Sequence, residues 1–244
     1  MKVSNKKSCL YHQKLSKLSR TESFSGFVDT RSNDLLFLEM ENLKQHWEKI
    51  YATKTSNQVS WTQETPTTSL NFVHSFALPK DAAIIDIGGG ESKFVDFLLD
   101  EGFTNITVLD ISEHALWKVK LRIGERASLV NWIVSDVREF KPLQKFDVWH
   151  DRATFHFLTT KEEIEKYIEL VSNTINPHGY MAVGTFSEKG PTTCSGLDIR
   201  QYSETELEKM LAHYFRKTRC IMEDHITPFK TVQNFLFCGF KRVA

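Results

Sequence analysis

The sequence holds no CxxC pair. Its four cysteines, Cys9, Cys194, Cys220 and Cys238, are scattered, which argues against a structural zinc site and a disulfide framework and favours a reducing compartment. It has no excess of either charge. Lys+Arg and Asp+Glu both number 31, so no global field draws in a phosphate backbone or an anionic bilayer, and neither nucleic acid nor a membrane is an expected partner. No apolar run is long enough to span a bilayer, and the first residues lack the apolar centre of a secretory signal. Internal repeats and low-complexity tracts are also missing. What is there is 244 residues, 41% of them hydrophobic and 12% aromatic, ample for one large domain with a substantial core.

The opening segment, "MKVSNKKSCLYHQKLSKLSR", is basic and free of acids until Glu22. A mitochondrial presequence is one reading of it. A polar, flexible extension is the preferred one, because Lys outnumbers Arg and amphipathic periodicity is weak. Helical patterning begins at Met40 in "MENLKQHWEKIY". The expected organisation is therefore an extension over 1–39 and a folded domain over 40–244, divided into a helical cap at 40–80 and a core at 81–244.

From residue 83 short apolar runs alternate with amphipathic stretches, the pattern of βα units and a mostly parallel sheet. The expected strands are "AIIDI", "ITVLD", "VNWIVS", "FDVWH", "YMAVGTF", "RCIMEDH" and "QNFLFCGF". Between them Phe94, Val95, Leu98 and Leu99 share a helical face with Gly102 as a stop, and Ala115, Leu116, Val119 and Ile123 repeat at helical spacing. Thr160 with Glu163 and Ser203 with Glu206 fit capping boxes. Apolar positions follow each: Ile164, Tyr167, Ile168 and Val171 after the first, Leu207, Met210 and Leu211 after the second. Only "ITPFK" joins the last two strands, too short for a crossover, so they pair as an antiparallel hairpin. The expected fold is α/β, a Rossmann-like three-layer sandwich with a seven-stranded, mostly parallel sheet and a C-terminal antiparallel hairpin.

The first strand runs into "GGGESKF". Glycines between a strand and a helix mark the place where open α/β sheets bind ligands, with backbone amides exposed and room for a cofactor to come close. A dinucleotide fingerprint needs G-x-G-x-x-G, and counting from Gly88 gives Gly90 and then Lys93 in place of the third glycine, which disfavours NAD. Asp86 at the strand end would repel a pyrophosphate and suit an ammonium group.

Asp86-x-Gly88-x-Gly90 resembles the first motif of class I S-adenosylmethionine-dependent methyltransferases. The second strand ends at Asp110, twenty-four residues after Asp86, where an acid can accept hydrogen bonds from both ribose hydroxyls. The third ends near Asp136, where family members hold the adenine amino group. The resemblance thus implies S-adenosylmethionine as cofactor, S-adenosylhomocysteine as product, and Asp86, Gly88, Gly90, Asp110, Ile111, Asp136 and Val137 as cofactor-binding residues. More narrowly, the chain resembles a mostly bacterial subgroup bearing "WHDRAxFHFL" and, after the fifth strand, "CSGL"; here these are Trp149 to Leu158 and Cys194 to Leu197, and the match runs over about residues 44 to 240.

In class I enzymes the loop after the fourth strand faces the methyl group and the acceptor. His150, Asp151, Arg152 and His156 cluster there as the candidate catalytic residues, with His150 as the expected base. A structural ion pair between Asp151 and Arg152 is the competing reading. Trp47, Tyr51, Trp61, Phe155, Phe186 and Cys194 are the candidate substrate-pocket residues, joined by Phe157, and His225 is expected either to face the same cleft or to cap the hairpin. Aromatic faces attract a sulfonium or methylated ammonium. Absence of [DN]PPY disfavours DNA bases and glutamine side chains as acceptors, and no carboxylate cluster suggests a metal.

The expected activity is methyl transfer to nitrogen, oxygen or sulfur on a small molecule, by a cytoplasmic monomer or homodimer. The alternatives are a protein-lysine methyltransferase, a non-catalytic S-adenosylmethionine-binding regulator and, least favoured, a nicotinamide oxidoreductase. A mitochondrial matrix location follows if residues 1–39 are a presequence.

Overall fold

The computed structural model describes residues 30–243. Residues 1–29, which hold most of the expected extension and any presequence, lie outside the described residues. Helix α1 (Thr30–Thr53) begins ten residues before the Met40 start expected from patterning, and α2 (Thr67–Ser75) follows. The core then runs β1 (Ala83–Ile87), α3 (Phe94–Asp100), β2 (Asn105–Asp110), α4 (Glu113–Ile123), β3 (Val130–Val134), β4 (Phe146–Arg152), α5 (Lys161–Thr174) and β5 (Ile175–Phe186). Two-residue strands β6 (Thr193–Cys194) and β7 (Leu197–Asp198) precede α6 (Glu204–Leu211), β8 (Phe215–Ile226) and β9 (Val232–Arg242).

Seven strands form one sheet in the order β3-β2-β1-β4-β5-β9-β8. Strands β1 to β5 pair in parallel, and β9 runs antiparallel to both β5 and β8. Strand order reverses between β1 and β4, which is the point where such sheets leave a crevice at their C-terminal ends.

Alternation along β1 builds both layers. Ala83, Ile85 and Ile87 pack into one core cluster with Tyr167 and Val171 of α5, while Ile84 enters the other with Phe72 of α2 and Phe94 of α3. The strand is buried at all five positions, as a parallel strand covered on both faces must be. Helix ends follow local chemistry. Thr160 and Glu163 complete the reciprocal capping box, whereas at α6 Ser203 accepts the Glu206 amide without a return bond. Gly102 closes α3 at φ +84°, a conformation that costs glycine little.

One expectation is overturned. Cys220 and Cys238, eighteen residues apart, form a disulfide. Antiparallel register sets them directly opposite on β8 and β9, a proximity that spacing along the chain does not reveal. The Gly/Pro/Ser-rich stretch after β5 is also more ordered than a loop. Ser195 (φ +54°) and Gly196 (φ +79°) make a tight turn between β6 and β7, the doubly positive geometry of two-residue hairpins. Among the described residues, no helix is long and apolar enough to cross a membrane.

Candidate active site

A cleft of about 1450 Å³ of free space, its mouth included, opens over the C-terminal ends of β1 to β4. Asp86, Gly88, Asp110, Ile111, Asp136, Val137, His150 and Arg152 all line it. Strand-end acids far apart in sequence meet there because parallel strands deliver their C-termini to one edge.

The glycine turn is shaped by packing inside the chain. Gly88 and Gly90 sit at φ +62° and +50°, and a Cβ at Gly88 would lie 1.8 Å from Thr154 Oγ1, one at Gly90 2.3 Å from the Tyr51 hydroxyl. The room read from the sequence as space for a cofactor is therefore partly filled by these two side chains. Gly90 itself is buried behind Tyr51, outside the cleft lining.

Asp110 Oδ2 accepts the Gly90 amide and Oδ1 the Ser112 amide, each at 2.8 Å. Burial pushes its carboxyl up to about 7, against the pull of those two amides. Each oxygen keeps a further lone pair, so the group suits a pair of hydroxyl donors. Glu48 of α1 supports the next turn: its carboxylate accepts Ser112 Oγ at 2.9 Å and the amides of Glu113 and His114 at 2.7 and 3.1 Å, capping α4. Asp136 is held differently. Its carboxylate takes a fork from Arg138 Nε and Nη2, and Arg138 Nη1 continues to Glu163 at 2.9 Å.

His150 departs from the role expected of it. Its Nδ1 lies 2.6 Å from Asp86 Oδ1 and its Nε2 2.8 Å from Ser69 Oγ, with the ring over Phe94. Both nitrogens are engaged inside the protein, which leaves no lone pair for an acceptor proton. Ser69, His150 and Asp86 stand in the order of a nucleophilic triad, but Ser69 is 1% exposed and does not line the cleft. The arrangement is a satisfied buried network.

The rest of the loop divides in two. Asp151 is fully buried and accepts the Thr154 and Phe155 amides at 3.1 Å together with the Tyr167 hydroxyl; burial raises its carboxyl to about 6. It makes no pair with Arg152, so the competing structural ion pair is not formed. Phe155 stacks on Tyr202 in the core, and His156 stacks on Phe186 at 4.5 Å with burial pressing its imidazole down to about 3. Asp151, Phe155 and His156 thus lie away from the cleft. Arg152 reaches it, where the left-handed Ala153 (φ +67°) ends the strand.

Trp47, Tyr51, Trp61 and Phe157 form one wall, with ring centroids 5.3 to 6.2 Å apart. Phe186 and Cys194 also line the cleft, and burial pushes the Cys194 thiol up to about 11, which makes it a poor nucleophile. His225 Nε2 donates to the Ser60 carbonyl at 2.7 Å outside the cleft. Ser69, Arg138 and Phe235 were missed by sequence reasoning. "VSDVREF" does place Arg138 two residues from Asp136, a signal that could have found it; Ser69 and Phe235 carry none.

Residues 84–179 match the family model described as "Methyltransferase domain". Malonyl-[acyl-carrier protein] O-methyltransferase 2 of Ilyobacter polytropus is 30% identical over 106 residues, 43% of this chain and 39% of that protein. EEF1A lysine methyltransferase 2 of Mus musculus is 24% identical over 57% of this chain and 64% of its own length. The chain therefore spans less than two thirds of either curated relative. Among solved structures, N-methyltransferase NodS from Bradyrhizobium japonicum WM9, in complex with S-adenosylhomocysteine, superposes with a TM-score of 0.65 at 17% identity, covering 82% of this chain and 97% of that one. Over residues 84–179 the chain is thus similar to a methyltransferase domain, and over 82% of its length it shares its fold with a solved N-methyltransferase.

Proposed function

We propose that the protein transfers a methyl group from S-adenosylmethionine to a nucleophile on a small-molecule acceptor. The observation that carries this reading is the convergence of Asp86, Asp110 and Asp136, from three successive strand ends, on one cleft. Asp110 has two buried acceptor oxygens for the ribose hydroxyls. Asp136 and Val137 border the adenine position, with Arg138 fixing the Asp136 carboxylate. Asp86, held by His150, faces the ammonium end.

The bound cofactor supplies a methyl group activated by a sulfonium and lost by in-line displacement. The chain's own contribution is alignment and exclusion of water. The aromatic wall of Trp47, Tyr51, Trp61 and Phe157 gives a dry boundary beside the acceptor position and π faces that favour positive charge. His150 orients Asp86 instead of serving as a base. A largely apolar cleft with an aromatic wall favours a compact acceptor over a side chain of a folded protein.

Lysine on a protein is the second reading, favoured by the similarity to EEF1A lysine methyltransferase 2. Incubation with methyl-labelled S-adenosylmethionine and fractionated lysate separates the two. Label in the low-molecular-weight fraction is expected; label confined to protein would shift the assignment to lysine, and none in either would remove the activity.

A further inference from the structure

Arg152 is held by one of its three nitrogens. Nη1 donates to the Trp61 carbonyl at 2.9 Å, while Nε and Nη2 are screened from water and have no partner among the described residues. Leaving charged donors buried and idle is costly. The acids around it do not meet it: Asp86 is bonded to His150, Asp151 to Tyr167 and two amides, and Glu223 directs one oxygen to Gln63 while its other, Oε2, is likewise buried without a partner among the described residues. Glu223 offsets part of the charge from β8 but does not line the cleft.

The idle edge has a specific shape. Nε–H and Nη2–H run parallel and match the two oxygens of a carboxylate. This molecule uses the same edge twice elsewhere. Arg122 places Nε and Nη2 on the two oxygens of Asp96 at 3.0 and 2.6 Å, and Arg138 forks Asp136 in the same way. Arg152 alone of these three lacks its carboxylate and lies in the cleft wall, its guanidinium carbon 5.0 Å from the Phe235 ring.

We propose that the Nε/Nη2 edge of Arg152 binds a carboxylate carried by the methyl acceptor, so that the substrates are small carboxylic acids with an apolar or aromatic body. The proposal rests on the methyltransferase reading above and narrows it. Trp61, Phe157, Phe186 and Phe235 line the same cleft and supply the surface for that body. Because both nitrogens are covered, the wall must yield locally as the acceptor enters, and the ion pair then forms out of water, where it is strong. A neutral or cationic acceptor would leave the fork idle and be discriminated against.

The test is calorimetry on the protein saturated with S-adenosylhomocysteine, titrated with benzoate, phenylacetate and hexanoate and with their amides. At least one acid is expected to bind about tenfold more tightly than its amide. Arg152→Gln should abolish that preference while S-adenosylhomocysteine affinity stays within twofold. Arg152→Lys, which keeps the charge and loses the fork, should reduce it to less than threefold and decides the matter if the Gln variant does not fold. No acid preferred over its amide, or a preference undiminished in the variant, overturns the proposal with the methyltransferase reading intact. Failure to bind S-adenosylhomocysteine would overturn both.

Discussion

His150 Nδ1 and Asp86 Oδ1 are 2.6 Å apart, both residues nearly solvent-free at 3% exposure. A buried carboxylate joined to an imidazole that is itself anchored on Ser69 holds the end of β1 to helix α2. Substituting His150→Gln should therefore destabilise the fold by about 3 kcal/mol, the usual cost of removing one partner of a buried pair. Urea unfolding measures it. Wild-type stability combined with lost turnover would return His150 to the role of base.

Asp110→Ala should weaken S-adenosylhomocysteine binding by about 100-fold, since two hydrogen bonds to a charged group contribute roughly 1.5 kcal/mol each. Calorimetry reads the change directly. Unaltered affinity would detach Asp110 from the cofactor.

The same carboxyl sets a pH dependence. Its pKa rises on folding from 3.8 to about 7, so between roughly pH 4 and 7 the native state binds more protons than the unfolded state and stability falls as pH rises. Asp151, raised to about 6, adds the same sign over pH 4 to 6. Cofactor affinity should move the other way, because hydroxyl donors favour the ionised form: about tenfold weaker at pH 6 than at pH 8. Binding curves at pH 6, 7 and 8 check this, and a flat profile, or an equal slope in Asp110→Asn, would refute it.

Breaking the β8–β9 bridge should cost about 3 kcal/mol, the chain-entropy value for a loop of this size, since Cys220 and Cys238 are eighteen residues apart. Thermal unfolding of Cys220→Ser, with and without reductant, is the measurement. The variant should melt lower than the oxidised wild type and ignore reductant, whereas a wild type equally indifferent to reductant would show that the bridge is not formed in solution.

What could be read from the sequence was whatever depends on neighbours along the chain. The strand ends at Ile87 and Asp110 follow from apolar runs that stop at glycine or acid, whereas β4 runs two residues past the expected end at His150, to Arg152; Ala115, Leu116, Val119 and Ile123 are all buried as their spacing demands. Side-chain partnerships were not legible where they cross the fold. Ser69 meets His150 across 81 residues, and no local pattern around "TTSLNF" signals it. Asp151 sits next to Arg152 in sequence yet points to the opposite side of β4, because neighbouring residues on a strand face away from each other. Phe155 and His156 lie in the 3-10 turn after β4, which buries both rings and leaves Phe157 on the cleft, and register alone brought Cys220 to Cys238.

The carboxylate of Glu48 ties two parts of the site together. Helix α1 carries both this group and the indole and phenol of Trp47 and Tyr51, which border the cleft, so the helix cannot retreat from the opening without stripping Ser112, Glu113 and His114 of their acceptor. Moving that part of α1 would break three hydrogen bonds at one side chain, so Glu48 fastens the aromatic wall of the crevice to the start of α4.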